Sequence, residues 1–244
     1  MKLLRNSLAA IVVAALLLTL VLLLYALVRN RPQDLPWTEL DLGKPVGLFT
    51  GRKLAGLTED FPACRKALDK AGVRYTALAP LSEQGGECGY ADVVRFAPGG
   101  ARRIRFAPGD LGVSCPVAAA LAVWEWEVVQ PAARRTFNQR VTEIEHFGSY
   151  NCRRMYNREG ASWSEHSTAD AVDVAAFRLA DGTRITLVGD WAGRGQKARF
   201  LREVRDGACS LFSTVLSPDY NAAHRDHFHL DQAERGEMGW RACR

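Results

Sequence analysis

Four of the five histidines in this chain fall in two short stretches that also carry aspartates. The first is Ser164-Glu165-His166-Ser167-Thr168-Ala169-Asp170-Ala171-Val172-Asp173, and the second is His224-Arg225-Asp226-His227-Phe228-His229. Imidazole nitrogen and carboxylate oxygen are donors of a catalytic zinc centre, which takes three protein ligands and keeps a fourth position open for water. His166, Asp173 and His229 meet that requirement, and with an open position zinc is the first choice of metal. Residues two apart in a strand share a face, so His227 and His229 are expected to point into one cavity. Asp226 falls on the opposite face of a regular strand, from which it orients a ligand or reaches the site at a bend.

Other chemistries fit less well. His146 stands outside both clusters and reads as structural. His227-Phe228-His229 with Glu234 matches half of a cupin-like metal pattern, but no further histidine follows. Ser164 lacks the Gly-x-Ser-x-Gly setting of a nucleophile elbow. The arginines behind the net charge of +5 are scattered, and no nucleic-acid-binding motif stands out, so nucleic acid is not an expected partner.

The elements that must carry these residues follow from periodicity and turn residues. The run from Val172 to Leu179 reads as a strand, Asp181-Gly182 as a tight turn, and Arg184–Val188 as the returning strand. Gln196–Arg205 is a predicted helix with Phe200, Leu201 and Val204 on one face. Pro116 suits the first position of a helix through Val117–Val129, whose Ala118, Leu121, Trp124 and Val128 have core spacing. Cys64–Leu68 reads as a short amphipathic helix. Ala91–Phe96 and Arg102–Phe106, flanking Pro98-Gly99-Gly100, read as a hairpin. The echo of Arg95-Phe96-Ala97-Pro98-Gly99 in Arg105-Phe106-Ala107-Pro108-Gly109 is too short for a solenoid. Nothing in composition divides this portion, so residues 61–244 are expected to form one α+β domain.

Upstream, Lys2 and Arg5 precede an apolar run over residues 8–28. At about 1.5 Å per residue this run is long enough for a bilayer core of roughly 30 Å. It exceeds the apolar region of a signal peptide and ends without a small-x-small cleavage site, so an uncleaved anchor is expected. Residues 1–7 are then a cytoplasmic tail and residues 29–60 a juxtamembrane linker. Six cysteines, all beyond the anchor and none in a CxxC pair, suggest three disulfides in an oxidising compartment. That places the domain in the periplasm of an inner-membrane, single-pass protein. The sequence assigns no oligomeric state.

Ser164, His166, Ala171 and Asp173 resemble the Ser-x-His-x-x-Gly-x-Ala-x-Asp motif of the zinc D-Ala-D-Ala peptidases and murein endopeptidases, with Ala169 in place of the glycine. His227-Phe228-His229 resembles their second metal motif. More closely, the stretch from Gly148-Ser149-Tyr150-Asn151-Cys152-Arg153 to Asp226-His227-Phe228-His229 resembles the extensin-like C-terminal domain family. The resemblance implies a zinc-peptidase-like fold, an antiparallel sheet with flanking helices, and His166, Asp173 and His229 as zinc ligands. It implies His227 or Asp226 as acid/base, with His227 favoured, and Arg153 as the group that binds a substrate carboxylate or oxyanion, with Arg154 and Arg158 in reserve. His224 and Ser164 are expected behind the ligands or facing substrate. The implied activity is hydrolysis of peptide bonds next to D-amino acids in peptidoglycan. The alternative is a non-catalytic cell-wall-binding or scaffold protein that retains the metal site.

Overall fold

The computed structural model describes residues 2–83, 86–236 and 241–244. Met1 of the expected tail, and residues 84–85 and 237–240 of the expected domain, lie outside them. The apolar run forms one helix, α1 (Lys2–Asn30), long and apolar enough to cross a membrane. Its described apolar side chains from Leu8 to Val28 are exposed, so nothing in the domain buries them.

The stretch expected as a linker folds onto the domain. A 3-10 turn at Pro32–Asp34 follows α1 after one intervening residue, and α2 spans Thr50–Ala55. Leu42, Leu54 and Leu57 are buried in the main core. Lys53 Nζ fastens this collar by donating to Pro32 O (3.0 Å) and Thr38 Oγ1 (2.8 Å). Pro32 thus opens an ordered turn instead of marking a flexible tether.

The domain continues with α3 (Phe61–Lys70), capped by the Asp60 carboxylate, which accepts from Ala63 N at 2.9 Å. Next come β1 (Val73–Ala77), β2 (Leu81–Ser82), β3 (Gly89–Tyr90), β4 (Val93–Gly100), β5 (Arg105–Ala107) and β6 (Gly112–Ser114). β2 and β3 form a ribbon, and β1-β4-β6 a small antiparallel sheet. The expected hairpin across Pro98-Gly99-Gly100 is absent. β4 pairs with β1 and β6, while β5 leaves to pair in parallel with a strand of the larger sheet. The buried carboxylate of Glu125 explains the departure. It needs donors and takes the amides of Arg103 (2.6 Å) and Ile104 (3.0 Å), pulling the chain off the small sheet.

The expected helix around Trp124 is longer at both ends. α4 (Cys115–Trp124) is capped by Ser114, runs through a π turn at Glu125–Val129, and continues as α5 (Gln130–Phe137). The wider turn lets the helical path continue through Pro131, which has no amide proton to donate.

The larger sheet includes β7 (Val141–Gly148) paired with the central strand β8 (Ala171–Leu179). The Asp181-Gly182 turn leads into β9 (Arg184–Thr186), where the returning strand gives way to α6 (Leu187–Asp190). Then follow α7 (Gln196–Ala208), β10 (Thr214–Leu216), β11 (Phe228–Asp231) and β12 (Ala242–Cys243). Strand order is β12-β10-β11-β8-β7-β5, with β9 also on β8. The sheet is mixed, since β5–β7 and β10–β12 pair in parallel.

Between this sheet and the helices lies an aromatic core. Trp124 packs edge-on against Phe177 of β8 at 5.8 Å, and Phe177 against Phe200 of α7 at 5.3 Å. Trp124 is fully buried, and its indole donates to Val204 O at 2.9 Å, so this ring is core and not a ligand groove. The six cysteines pair as Cys64–Cys115, Cys88–Cys152 and Cys209–Cys243.

Candidate metal centre

The site forms where β11 meets β8. In their antiparallel register His229 lies directly opposite Asp173, and Gly148 at the end of β7 lies opposite Asp173 on its other side. Phe228 and Leu230 point into the core, so alternation sends His229 to the other face. Gly148 has φ +116°, and a Cβ there would meet nothing within 4 Å, which leaves open space beside Asp173.

His166 arrives from a 3-10 turn at Glu165–Thr168 just before β8. Ser164 caps that turn, its hydroxyl accepting from His166 N at 3.4 Å, and so sets the turn that carries His166. Ala169 closes the turn at φ +59°, the left-handed region where a glycine is at ease. Alanine holds it at a cost of roughly 1–2 kcal/mol. With Ala169 in place of the motif's glycine the turn forms, under strain. Asp170, one residue later, is buried and accepts from Ser114 Oγ at 2.5 Å; burial pushes its carboxyl well above the ordinary range.

Three side chains converge, Asp173 with both of its oxygens. His166 Nε2 lies 3.2 Å from His229 Nδ1 and 3.2 Å from Asp173 Oδ2, and His229 Nδ1 lies 3.1 Å from Asp173 Oδ1. A tetrahedral zinc with ligands at about 2.0–2.1 Å needs donor atoms about 3.3 Å apart, close to each of these separations.

The far side of each ring fixes its tautomer. His166 Nδ1 donates to Ser149 O at 2.6 Å, and His229 Nε2 donates to Asp231 Oδ2 at 3.0 Å. In its neutral form a ring so held turns a lone pair inward, as a metal ligand must. Two lone pairs and a carboxylate facing one another could hold a cation. Without one, a proton serves. Burial disfavours charge on His229, but hydrogen bonds to Asp173 and Asp231 outweigh it and raise its pKa to about 9. Burial likewise opposes ionisation of Asp173, yet the imidazoles of His166 and His229 against it hold its carboxyl far below the usual range.

The remaining predicted residues divide into two groups. His227 precedes β11 instead of lying within it, but still faces the centre, with Nε2 3.5 Å from Asp173 Oδ1. Its Nδ1 donates to Asp226 Oδ1 at 2.9 Å, so Asp226 acts on His227 and the two candidates form a pair in series. His224 packs 5.2 Å from the His227 ring. Burial, then His227 and His229, with a further push from Arg153, lower its pKa to about 4. The Arg153 charge is felt at His224, and its backbone carbonyl accepts from Ser164 N at 3.2 Å, just before the His166 turn. Arg154 instead lies over Trp163 at 4.3 Å and donates to Ala161 O at 2.6 Å, bracing its own loop. Arg158 lies over Tyr156 at 5.7 Å, on the same loop. His146 Nε2 donates to Pro108 O at 2.8 Å, in keeping with its structural reading.

Sequence reasoning missed Asp231 and the Ser149 carbonyl. Asp231 was signalled by the same two-residue spacing that linked His227 to His229, applied forward along the strand. The two exposed aromatic rings at the site's edges, Phe147 at 5.8 Å from His227 and Tyr220 at 5.3 Å from His224, carried no such signal.

A family model described as Extensin-like protein C-terminus matches residues 62–244. No curated protein and no solved structure matches the chain.

Proposed function

We propose that this chain, which belongs to the extensin-like C-terminal family, is a membrane-anchored zinc metallopeptidase of the periplasm that cleaves amide bonds next to D-amino acids in peptidoglycan peptides. The observation that carries the reading is the inward-facing triangle of His166, Asp173 and His229, with both imidazoles held in the ligand tautomer from behind. His166 Nε2, Asp173 and His229 Nδ1 would hold the ion. Zinc in such a place supplies a water of lowered pKa and polarises a carbonyl.

The other residues handle substrate and protons. Asp226 accepts the Nδ1 proton of His227 and leaves Nε2, on the side of the centre, free to take a proton from water and deliver it to the leaving amine. Arg153 provides the positive charge for a substrate carboxylate or developing oxyanion. The disulfides suit the oxidising periplasm, and α1 supplies the span through the inner membrane.

His227→Ala tests the reading, because it spares all three ligands. Zinc content should stay at the wild-type level while hydrolysis of purified muropeptides is lost. Wild-type protein that binds zinc and cell-wall sacculi but leaves muropeptides intact would favour the non-catalytic binding module.

A further inference from the structure

The stretch between α1 and the domain is too short and too well fastened to be a tether. α1 ends at Asn30, and only three residues later Gln33 is 1% exposed. Gln33 donates from Nε2 to Asp41 O at 2.8 Å, and its carbonyl accepts from Phe49 N at 2.9 Å. Three residues reach at most about 10 Å. The polar layer on each side of a bilayer core is itself about 5–8 Å deep. If α1 spans the core, the collar at residues 31–49 stands in or against that layer.

The collar carries apolar surface there. Trp37 is 76% exposed and Leu48 78%, and no other described large apolar side chain is more exposed, those of α1 included. Leu48 is brought back to the helix end by its own amide, which donates to Asp34 Oδ1 at 2.9 Å, four residues beyond Asn30. Two large apolar side chains held open to water beside a membrane-length helix are explained by the same lipid that covers the helix. Tryptophan at the headgroup level is the usual interfacial anchor, since its ring is apolar and its N–H is satisfied by water or lipid oxygen.

We infer that residues 31–49 form a rigid foot whose Trp37 and Leu48 dip into the bilayer surface around α1, clamping the domain to the membrane. This rests on the reading of α1 as a membrane span and is independent of the metal centre. The occupant is the lipid surface itself.

The test uses the full chain in lipid nanodiscs at one copy per disc, with acyl chains brominated near the headgroup or left plain. Bromine should quench tryptophan emission, and Trp37→Phe should remove most of that quenching. Leu48→Ser should reduce the quenching while leaving the circular dichroism unchanged. Equal quenching in wild type and Trp37→Phe, or none in either, overturns the foot. An alkaline carbonate wash of vesicles carrying the full chain separates the two layers of the argument. Retention with an unquenched Trp37 sinks the foot and spares the anchor; release from the vesicles sinks both.

Discussion

Replacing Asp231 by asparagine tests the metal centre from behind, without touching a ligand. Asp231 is 3% exposed and uses both oxygens, Oδ2 for His229 Nε2–H at 3.0 Å and Oδ1 for Ala233 N–H at 3.0 Å. Asparagine has one acceptor oxygen. If that oxygen keeps the Ala233 amide, the NH2 group faces Nε2 and drives the His229 proton to Nδ1, the atom that must present a lone pair. If it keeps Nε2–H, the NH2 group meets the Ala233 N–H, donor against donor in a buried place, at a cost of about 1–3 kcal/mol. In the first orientation the ligand tautomer is lost, and in the second it is kept only at that cost. Loss of such a partner typically weakens metal binding 10–100-fold, or about 1.4–2.7 kcal/mol. Zinc affinity is read by competition with a chromophoric chelator, with near-ultraviolet circular dichroism as the check on folding. A folded Asp231→Asn protein that binds zinc as tightly as wild type would refute the argument that Asp231 sets the ring.

Three further outcomes follow from the same geometry. In the metal-free protein His229 has a pKa of about 9 against an unfolded value of 6.5, so its stabilising contribution is complete below 6.5 and disappears as pH rises through 9. Zinc requires the neutral ring, so binding near pH 7.5 should expel about one proton, measured by calorimetry in buffers of different ionisation enthalpy; no proton release contradicts the assignment. Trp124→Ala removes a fully buried ring and its hydrogen bond to the Val204 carbonyl, and should cost about 3–5 kcal/mol in urea denaturation. Replacing both Cys88 and Cys152 by serine opens a crosslink spanning 64 residues, worth about 4 kcal/mol by chain entropy. Because Asn151 N donates to His166 O at 2.9 Å, the same variant should also bind zinc less tightly; unchanged stability and affinity would show the crosslink to be idle.

What the sequence showed and what it hid have physical causes. β8 and α7 were legible because their apolar spacing is local, and the structure only extends α7 to Ala208. His166, Asp173 and His229 were legible because imidazole and carboxylate are rare enough that their clustering carries information. The Ser149 carbonyl was not, since every residue has one and only the fold aims it. The strand at 105–107 was misassigned because its partner was decided by Glu125, a buried charge some twenty residues away, which no local turn pattern reports. The folding of residues 31–49 onto the domain was not legible, because prolines look the same in an ordered turn and in an extended linker. Lys53 and Gln33, which decide between the two, act across gaps in the chain.

The central claim is hydrolysis at this centre, and mass spectrometry of purified muropeptides after incubation with the zinc-loaded, disulfide-bonded full-length chain measures it directly. The account predicts loss of a terminal D-alanine, or cross-linked dimers split with the gain of one water, in wild type and in neither His229→Ala nor His227→Ala. Muropeptides unchanged by wild-type protein with zinc demonstrably bound, or cleaved equally by His229→Ala, would contradict it.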